Sequence, residues 1–364
     1  MKTLQQVKQK MDFSEDSIYV GIDVHKKQWS VFIMSDYKEH KGFVQPPDPR
    51  ALANYLRKNF PGATYYSTYE AGFSGFWIDE ALKKEGINNI VVNPADVPTT
   101  DKEKKTKSDR VDSRKLCKKL RDKDLEAIFV PERYQLEDRE LVRLRTKLVR
   151  DVRRCKGRIK SMLNFYGINH SFTGWTKAFF TWLQELHLVY SNGTFTLHAL
   201  VEELQSIEDL KKKVGRQIRS GIVKNERYAK LIGLLCRIPG IGLIGAITIL
   251  TELGNMKRFR NCDHLCSYVG LVPTLYSSDE TEYVGNLTPR GNTYVLPILI
   301  ECAWAAVGKD PALMNAYHQL CKRMKGQDAI IRIARKLLRR IRHVLIHETP
   351  YELNTVSQCM QLSR

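Results

Sequence analysis

Residues Ile18–Asp23 read IYVGID, an apolar run that ends in an acid. Its β-branched and aromatic residues predict a strand, and Trp29–Met34 and Lys41–Val44 predict two more strands after short breaks. Three successive short strands indicate a meander. We therefore expect the Asp23 carboxylate to lie at a strand end, where a rigid sheet can hold it in place.

Helices and strands alternate after this meander. The sequence predicts a helix at Pro49–Asn59, a strand at Thr64–Tyr69, a helix at Gly75–Lys84 and a strand at Asn89–Asn93. This order is typical of an α/β domain in which helices cover the faces of a mixed sheet. We expect this first domain to cover residues 1–131.

Three further acids lie at the ends of predicted elements, as Asp23 does. Glu70 follows a predicted strand, and Asp109 and Asp112 lie three residues apart at the start of a predicted helix, whose positive end favours ionised carboxylates. Each acid taken singly is more often an ordinary cap or surface residue. Together the four could hold two magnesium ions (Mg²⁺), which prefer oxygen ligands and can clamp the attacking and leaving oxygens of a phosphodiester.

The charge balance points to a polyanionic partner. Lys and Arg number 59 against 40 Asp and Glu in 364 residues, a formal charge of +19. DNA or RNA is the partner that this charge favours, and a membrane surface is the weaker alternative. A basic collar surrounds the two helical aspartates, and we expect Lys104, Lys105, Lys107 and Arg110 to contact nucleic acid. The rest of the collar is Lys102, Arg114, Lys115, Lys118 and Lys119.

The location of the protein follows from what the sequence lacks. Met1–Asp16 is polar throughout, unlike a signal peptide, and the apolar runs Ile238–Leu250 and Val295–Val307 are too short and interrupted to span a bilayer. We expect a cytoplasmic protein whose eight scattered cysteines are reduced. Cys262, His264 and Cys266 resemble half of a zinc site, but no second half has suitable spacing.

A middle region, residues 132–222, is predicted to be helical and basic. Apolar residues recur at steps of three and four from Leu141 to Met162, which predicts one apolar stripe on a long helix over Asp138–Phe165. We interpret it as a coiled-coil helix that serves oligomerisation and also lies along phosphates, although a solvated basic face is the alternative. A turn-rich piece at Ser191–Thr196 is expected to precede a helical run from Leu197 to about Gly221.

The C-terminal region, residues 223–364, contains a glycine-rich turn at Ile238–Ala246 between two predicted helices, Tyr228–Cys236 and Ala246–Leu253. This pattern resembles a helix-hairpin-helix, in which Gly240 and Gly242 would let backbone N–H groups approach a phosphate. A buried turn between two core helices is the alternative. The segment Lys322–His347 predicts a basic amphipathic helix.

A polar loop containing Tyr276-Ser277-Ser278-Asp279 precedes Arg290-Gly291-Asn292. With the opening motif at residues 19–26 (YVGIDVHK) and the paired-aspartate motif at residues 107–113 (KSDRVDS), these residues resemble a known family over most of the chain. The family is that of D-E-D-D-type insertion-sequence transposases, related to Piv DNA invertases and understood as recombinases guided by a bridge RNA.

The resemblance implies a ribonuclease H-like, Holliday-junction-resolvase-like first domain that binds Mg²⁺ through Asp23, Glu70, Asp109 and Asp112. It also implies a serine nucleophile in a mainly helical C-terminal transposase domain, which we map to Ser278. Family members commonly have a glycine after the serine, whereas this chain has Asp279, so Ser277 is a competitor.

The resemblance further implies a phosphoserine intermediate and a composite site in a dimer or tetramer. A noncoding guide RNA would select donor and target DNA, with the protein reading backbone and shape; Arg290 is a further candidate nucleic-acid contact. Two alternatives stay open. One is a Holliday-junction-resolvase-like nuclease that hydrolyses with metal and no serine, and the other is a non-catalytic nucleic-acid-binding scaffold.

Overall fold

A computed structural model describes residues 13–98, 108–278 and 281–353, without the side chains of residues 274–286. The chain forms two compact units that divide between Val130 and Pro131.

The described part of the first unit is a five-stranded sheet with helices on both faces. Its strands are β1 Ser17–Val24, β2 Trp29–Ser35, β3 Glu39–Gln45, β4 Thr64–Glu70 and β5 Asn88–Val92. Its helices are α1 Pro49–Asn59, α2 Trp77–Lys84 and α3 Asp109–Arg121.

The sheet has the strand order β3-β2-β1-β4-β5. β1, β2 and β3 are antiparallel neighbours, whereas β4 is parallel to β1 and β5 is parallel to β4. The predicted meander and mixed α/β sheet are confirmed. Side chains alternate along β1, so Ile18, Val20 and Ile22 join the core that α1 and α2 cover.

Two predicted boundaries shift for local reasons. Gly75 has a φ of +61°, a left-handed conformation incompatible with a helix, and α2 accordingly begins at Trp77 rather than at Gly75. Asn93 was assigned to the end of a strand, but its side chain accepts a hydrogen bond from the Ala95 backbone and caps a short 3₁₀ turn.

The second unit is mainly helical. Its longer helices are α4 Arg133–Phe165, α5 Lys177–Glu185, α6 Ser191–Ile218, α7 Glu226–Cys236, α8 Leu243–Leu253 and α9 Cys262–Val269. A strand pair follows, β6 Pro273–Ser278 and β7 Thr281–Leu287. The last helices are α10 Val295–Val307, α11 Pro311–Cys321 and α12 Gly326–His347.

The apolar stripe of α4 packs against α6 of the same chain. Val152, Cys155 and Ile159 form one core with Leu197, Val201 and Leu204. The Cys155 thiol donates to the Leu200 backbone oxygen at 3.3 Å. The partner helix that the stripe predicted is therefore present within the chain, and the coiled-coil oligomer stays a prediction.

Two details of the middle region were predicted wrongly. Ser191–Thr196 forms the first turns of α6 instead of a separate turn, because Gly193 packs against Leu188 and the Thr194 hydroxyl accepts from the Leu188 N–H at 2.9 Å. On α4, Val142 is 3% exposed whereas Leu144 of the predicted stripe is 39% exposed. The stripe drifts because a straight helix turns once in 3.6 residues.

The described helices include none that is both long and apolar enough to cross a membrane. The seven cysteines in the described part of the chain are free.

Candidate metal centre and serine strand

Gly21 allows helix α3 to lie directly on strand β1. Tyr19, Gly21 and Asp23 share one face of β1 by alternation. A Cβ atom on Gly21 would stand 2.0 Å from the Ser113 backbone oxygen and 2.4 Å from the Cys117 nitrogen, both on α3. Only glycine permits this approach, and it brings the first turn of α3 beside the end of β1.

Hydrogen bonds fix the register of α3 on the sheet. The Cys117 thiol donates to the Tyr19 backbone oxygen at 3.1 Å, and the buried hydroxyls of Ser30 and Ser113 lie 3.2 Å apart. Ser108 caps the helix by accepting from the Val111 N–H. Asp109 and Asp112 therefore lie in the first turn, as predicted, near the positive end of the helix dipole.

A histidine joins two of the predicted acids. His25 Nε2 lies 3.1 Å from Asp23 Oδ2 and 3.4 Å from Asp109 Oδ2. Potential ligand atoms of the three residues all lie within 4.8 Å of one another. The side chain of Asp23 is 25% exposed and that of Asp109 53% exposed, so the cluster opens towards Asp109.

Electrostatics bring Asp112 into the same group. Burial raises the pKa of the Asp23 carboxyl, and the charges of Asp109 and Asp112 raise it further, while His25 lowers it. Lys115 offsets part of this negative charge from 3.8 Å, at Asp112. A carboxyl whose ionisation is opposed by neighbouring acids is stabilised in its charged form by a cation.

Glu70 ends the strand next to Asp23. β1 and β4 are parallel and Ile22 pairs with Tyr69, so the next residue of each strand, Asp23 and Glu70, lies at the same end of the sheet. Glu70 is partly exposed. The structure brings Asp23, Asp109 and His25 together as possible ligands of a divalent cation, and Glu70 ends the strand beside that of Asp23. That all four acids hold the ion stays a prediction.

The sequence motifs contained His25, but we had assigned no role to this residue. The signal was its spacing, because His25 follows Asp23 by two residues, directly after the end of β1, so its side chain can reach the same strand end.

The predicted serine loop is wrong in its local structure. Ser277 and Ser278 are the last residues of β6, where they pair with Glu282 and Thr281 of β7. Strand pairing explains the difference. Residues 281–287 form the strand that pairs with β6, and this partner is not evident from residues 276–279 alone. Ser278 lies in the second unit.

The backbone segments just before β6 and just after β7 lie in close contact. The Thr288 N–H donates to the Val272 oxygen at 2.9 Å, and a Cβ on Gly270 would stand 2.7 Å from the Gly291 Cα. Gly270 also has a φ of +90°. Gly291 of the Arg290-Gly291-Asn292 motif therefore has a packing role.

Asn292 belongs to a buried network that we had not predicted. Its side-chain amide donates to Glu252 at 3.0 Å, and its oxygen accepts from the Tyr294 and Val295 N–H groups at the start of α10. Glu252 is 1% exposed and accepts two hydrogen bonds from Arg143, at 2.6 and 2.8 Å. These residues link α4, α8 and α10 beside the strand pair.

The two hairpin glycines have different surroundings. A Cβ on Gly240 would stand 2.4 Å from the Cys302 oxygen of α10, so this glycine is packed against a helix. A Cβ on Gly242 would meet no atom within 4 Å. A nucleic-acid contact at this turn stays a prediction.

The predicted collar is only partly described. Lys102, Lys104, Lys105 and Lys107 lie outside the described residues. Arg110 and Arg290 are exposed. Arg114 is paired with Glu39, and Lys119 with Asp124, at 2.7 and 2.9 Å.

Comparisons with known proteins match two transposase models to this chain. A transposase model for the DEDD domain of IS110 elements matches residues 20–168, and the model of the transposase IS116/IS110/IS902 family matches residues 233–319. The first match contains the four acids and the second contains Ser278.

Relatives with this similarity occur in several bacteria. The y4qE protein of Sinorhizobium fredii, named as a transposase, is 29% identical over 79% of this chain and 71% of its own length. The transposase for insertion sequence element IS1533 of Leptospira borgpetersenii is 25% identical, over 79% of this chain and 84% of its own length. With two transposase models matching in order along it, the chain belongs to the IS110 family of insertion-sequence transposases.

Proposed function

We propose that this transposase cleaves and rejoins DNA through a covalent phosphoserine, with Ser278 as the nucleophile and Mg²⁺ at the Asp23 centre. The observation that carries the proposal is the convergence of Asp23, Asp109 and His25 within 4.8 Å at the end of β1, with Asp112 and Glu70 beside them. A transposase needs strand cleavage and rejoining, and oxygen ligands at this centre would hold the divalent cation that assists phosphoryl transfer.

The carboxylates of Asp23, Glu70, Asp109 and Asp112 would hold the cation. Bound there, it would polarise the scissile phosphate. The Ser278 hydroxyl oxygen would form a bond to phosphorus as the bond to the leaving sugar oxygen breaks, with a net transfer of the serine proton to that oxygen. The ester conserves the bond for attack by a new strand, so joining replaces hydrolysis.

The same proposal includes the partners. A noncoding guide RNA would select donor and target DNA by base pairing, and a charge of +19 suits a protein that reads backbone rather than sequence. The metal centre of one protomer would act with the serine of another in a dimer or tetramer.

The test is strand transfer on DNA carrying the element ends, with its guide RNA, by the wild type and by Ser278→Ala, Ser277→Ala and the double variant. We expect Ser278→Ala to abolish joining and the covalent protein–DNA adduct, with Ser277→Ala close to wild type. Loss in Ser277→Ala alone would move the nucleophile to Ser277, and full activity of the double variant would overturn the serine mechanism.

A second candidate is a metal-dependent nuclease that uses water and no serine. The observation that favours it is that Asp23, His25 and Asp109 come together within the first unit, which does not contain Ser278. It predicts cleavage by the double serine variant without any covalent adduct.

The other alternative is a non-catalytic nucleic-acid-binding scaffold. For a scaffold, Asp23→Asn should change neither DNA binding nor strand transfer. Loss of metal-dependent strand transfer in this variant, with duplex binding intact, would exclude the scaffold.

A further inference from the structure

A groove in the second unit has five basic residues in its lining. It has a volume of about 890 Å³ and runs along α6 where this helix meets the glycine-rich turn before α8. Its basic lining residues are Arg145, Lys211, Lys212, Arg216 and Arg219. Glu301 is the acid among the described residues that line it, and the other lining residues are glycines, a cysteine and aliphatic residues.

Most of these cations lack an acidic partner within the described chain. Lys212 pairs with Asp209 at 2.9 Å, whereas Arg145, Lys211, Arg216 and Arg219 form no salt bridge with any described residue. Burial lowers the pKa of the Arg145 guanidinium, and no carboxylate of the described residues offsets that effect. A partly desolvated cation without a counterion is stabilised when an anion enters the site.

The separation of the basic residues along the chain suits an extended anion. Lys211 and Arg219 are eight residues apart, which is about 12 Å along a helix. One strand of duplex DNA carries a phosphate about every 3.4 Å along its axis, so this length corresponds to roughly three phosphates. Gly215 and Gly242 line the groove and present no side chain that would occupy it.

We propose that this groove binds the sugar-phosphate backbone of a nucleic acid. A single small anion would leave most of the cations unmatched, whereas several consecutive phosphates would give each of them a counterion. The inference relies on the nucleic-acid substrate of the proposed function but not on its serine chemistry. Duplex DNA and folded RNA share the phosphodiester that the groove would recognise.

The sharpest test changes charge at constant size. Gly242 precedes α8 with φ −88° and ψ 171°, an extended conformation that any residue adopts, and the space around its Cβ position is open. Asn and Asp are equally good helix N-caps and nearly equal in volume. We expect Gly242→Asp to weaken binding relative to Gly242→Asn, and equal affinities of the two variants would contradict the proposal.

A second test uses the salt dependence of binding, which reports the number of phosphates that the protein contacts. In the full-length protein, Arg216→Gln with Arg219→Gln should weaken binding roughly tenfold and reduce the slope of log K against log salt by about 2. Lys213→Gln with Lys224→Gln is the matched control, because both lysines are exposed on the same segment outside the groove lining. A slope equal to that of the control would overturn the inference.

The probes are a 30-bp DNA duplex and an RNA hairpin of equal length, both measured in EDTA so that metal-dependent chemistry does not contribute. Weakened binding of either probe, or both, in the groove variants supports the proposal and identifies the source of the backbone. Unchanged binding of both overturns it. Failure of the serine mechanism would leave these results unaffected, since no step of catalysis enters the measurement.

Discussion

The Gly21 Cα lies so close to α3 that a Cβ on it would stand 2.0 Å from the Ser113 backbone oxygen. Neither backbone can yield without moving the helix that carries Asp109 and Asp112. The arrangement of the candidate metal ligands therefore depends on residue 21 having no side chain.

Gly21→Ala should destabilise the first unit by at least about 1–3 kcal/mol through overpacking and should weaken metal binding. Denaturant unfolding and calorimetric titration with Mg²⁺ would measure the two effects. Gly72→Ala is the control for stability, because its Cβ would approach nothing closer than 4.0 Å. Equal stability of both variants would show that α3 does not lie on β1 as described.

Asp23→Asn should stabilise the metal-free protein near neutral pH by roughly 0.5–2 kcal/mol while removing metal binding. The reason is that the pKa of the Asp23 carboxyl is raised in the folded protein. Its contribution to the free energy of unfolding is therefore most favourable below the unfolded pKa and is lost as pH rises through the folded pKa. Asparagine stays neutral and does not lose stability in this way. The gain should disappear at acid pH. Exposed Glu15→Gln is the control, and a stability loss in Asp23→Asn at neutral pH would contradict the sign.

Two neighbours should shift the pKa of Asp23 in opposite directions. His25→Ala should raise it, because the imidazole favours the ionised carboxyl, and Asp109→Asn should lower it by removing a like charge. NMR titration of the metal-free protein would follow the carboxyl carbon. Shifts of the same sign in both variants would be inconsistent with the cluster.

Glu252→Gln should destabilise the second unit by about 3–5 kcal/mol, because it removes the buried carboxylate that accepts two hydrogen bonds from the partly buried Arg143 guanidinium and leaves only the exposed Glu140, among the described acids, near that cation. The matched control is Glu140→Gln, whose 66% exposed carboxylate lies 3.9 Å from the same arginine. Thermal unfolding would measure both. If only Glu140→Gln lowered the thermal stability, the exposed Glu140–Arg143 pair rather than the buried Glu252–Arg143 pair would be the stabilising one.

Most of the first unit could be predicted from local patterns. Helix α1 was predicted with its observed bounds, because Asp48 caps it and Pro49 suits its first turn. The acid positions followed in the same way from strand ends and a capped helix. The predicted turn at Ser191–Thr196 is wrong because tertiary packing outweighs the turn propensity of these residues, and that packing cannot be read from the local sequence.

By itself, the sequence determined the strand and helix order of the first unit, the alternation that places Asp23 on one face of β1, and the basic character of the chain. Only the tertiary structure decided that His25 meets both Asp23 and Asp109, that Gly240 is packed while Gly242 is open, and that Asn292 joins Glu252. The physical reason is distance along the chain. Periodicity and capping act within a few residues, whereas Asp23 and Asp109, like Arg143 and Glu252, meet only when the sheet and helices pack.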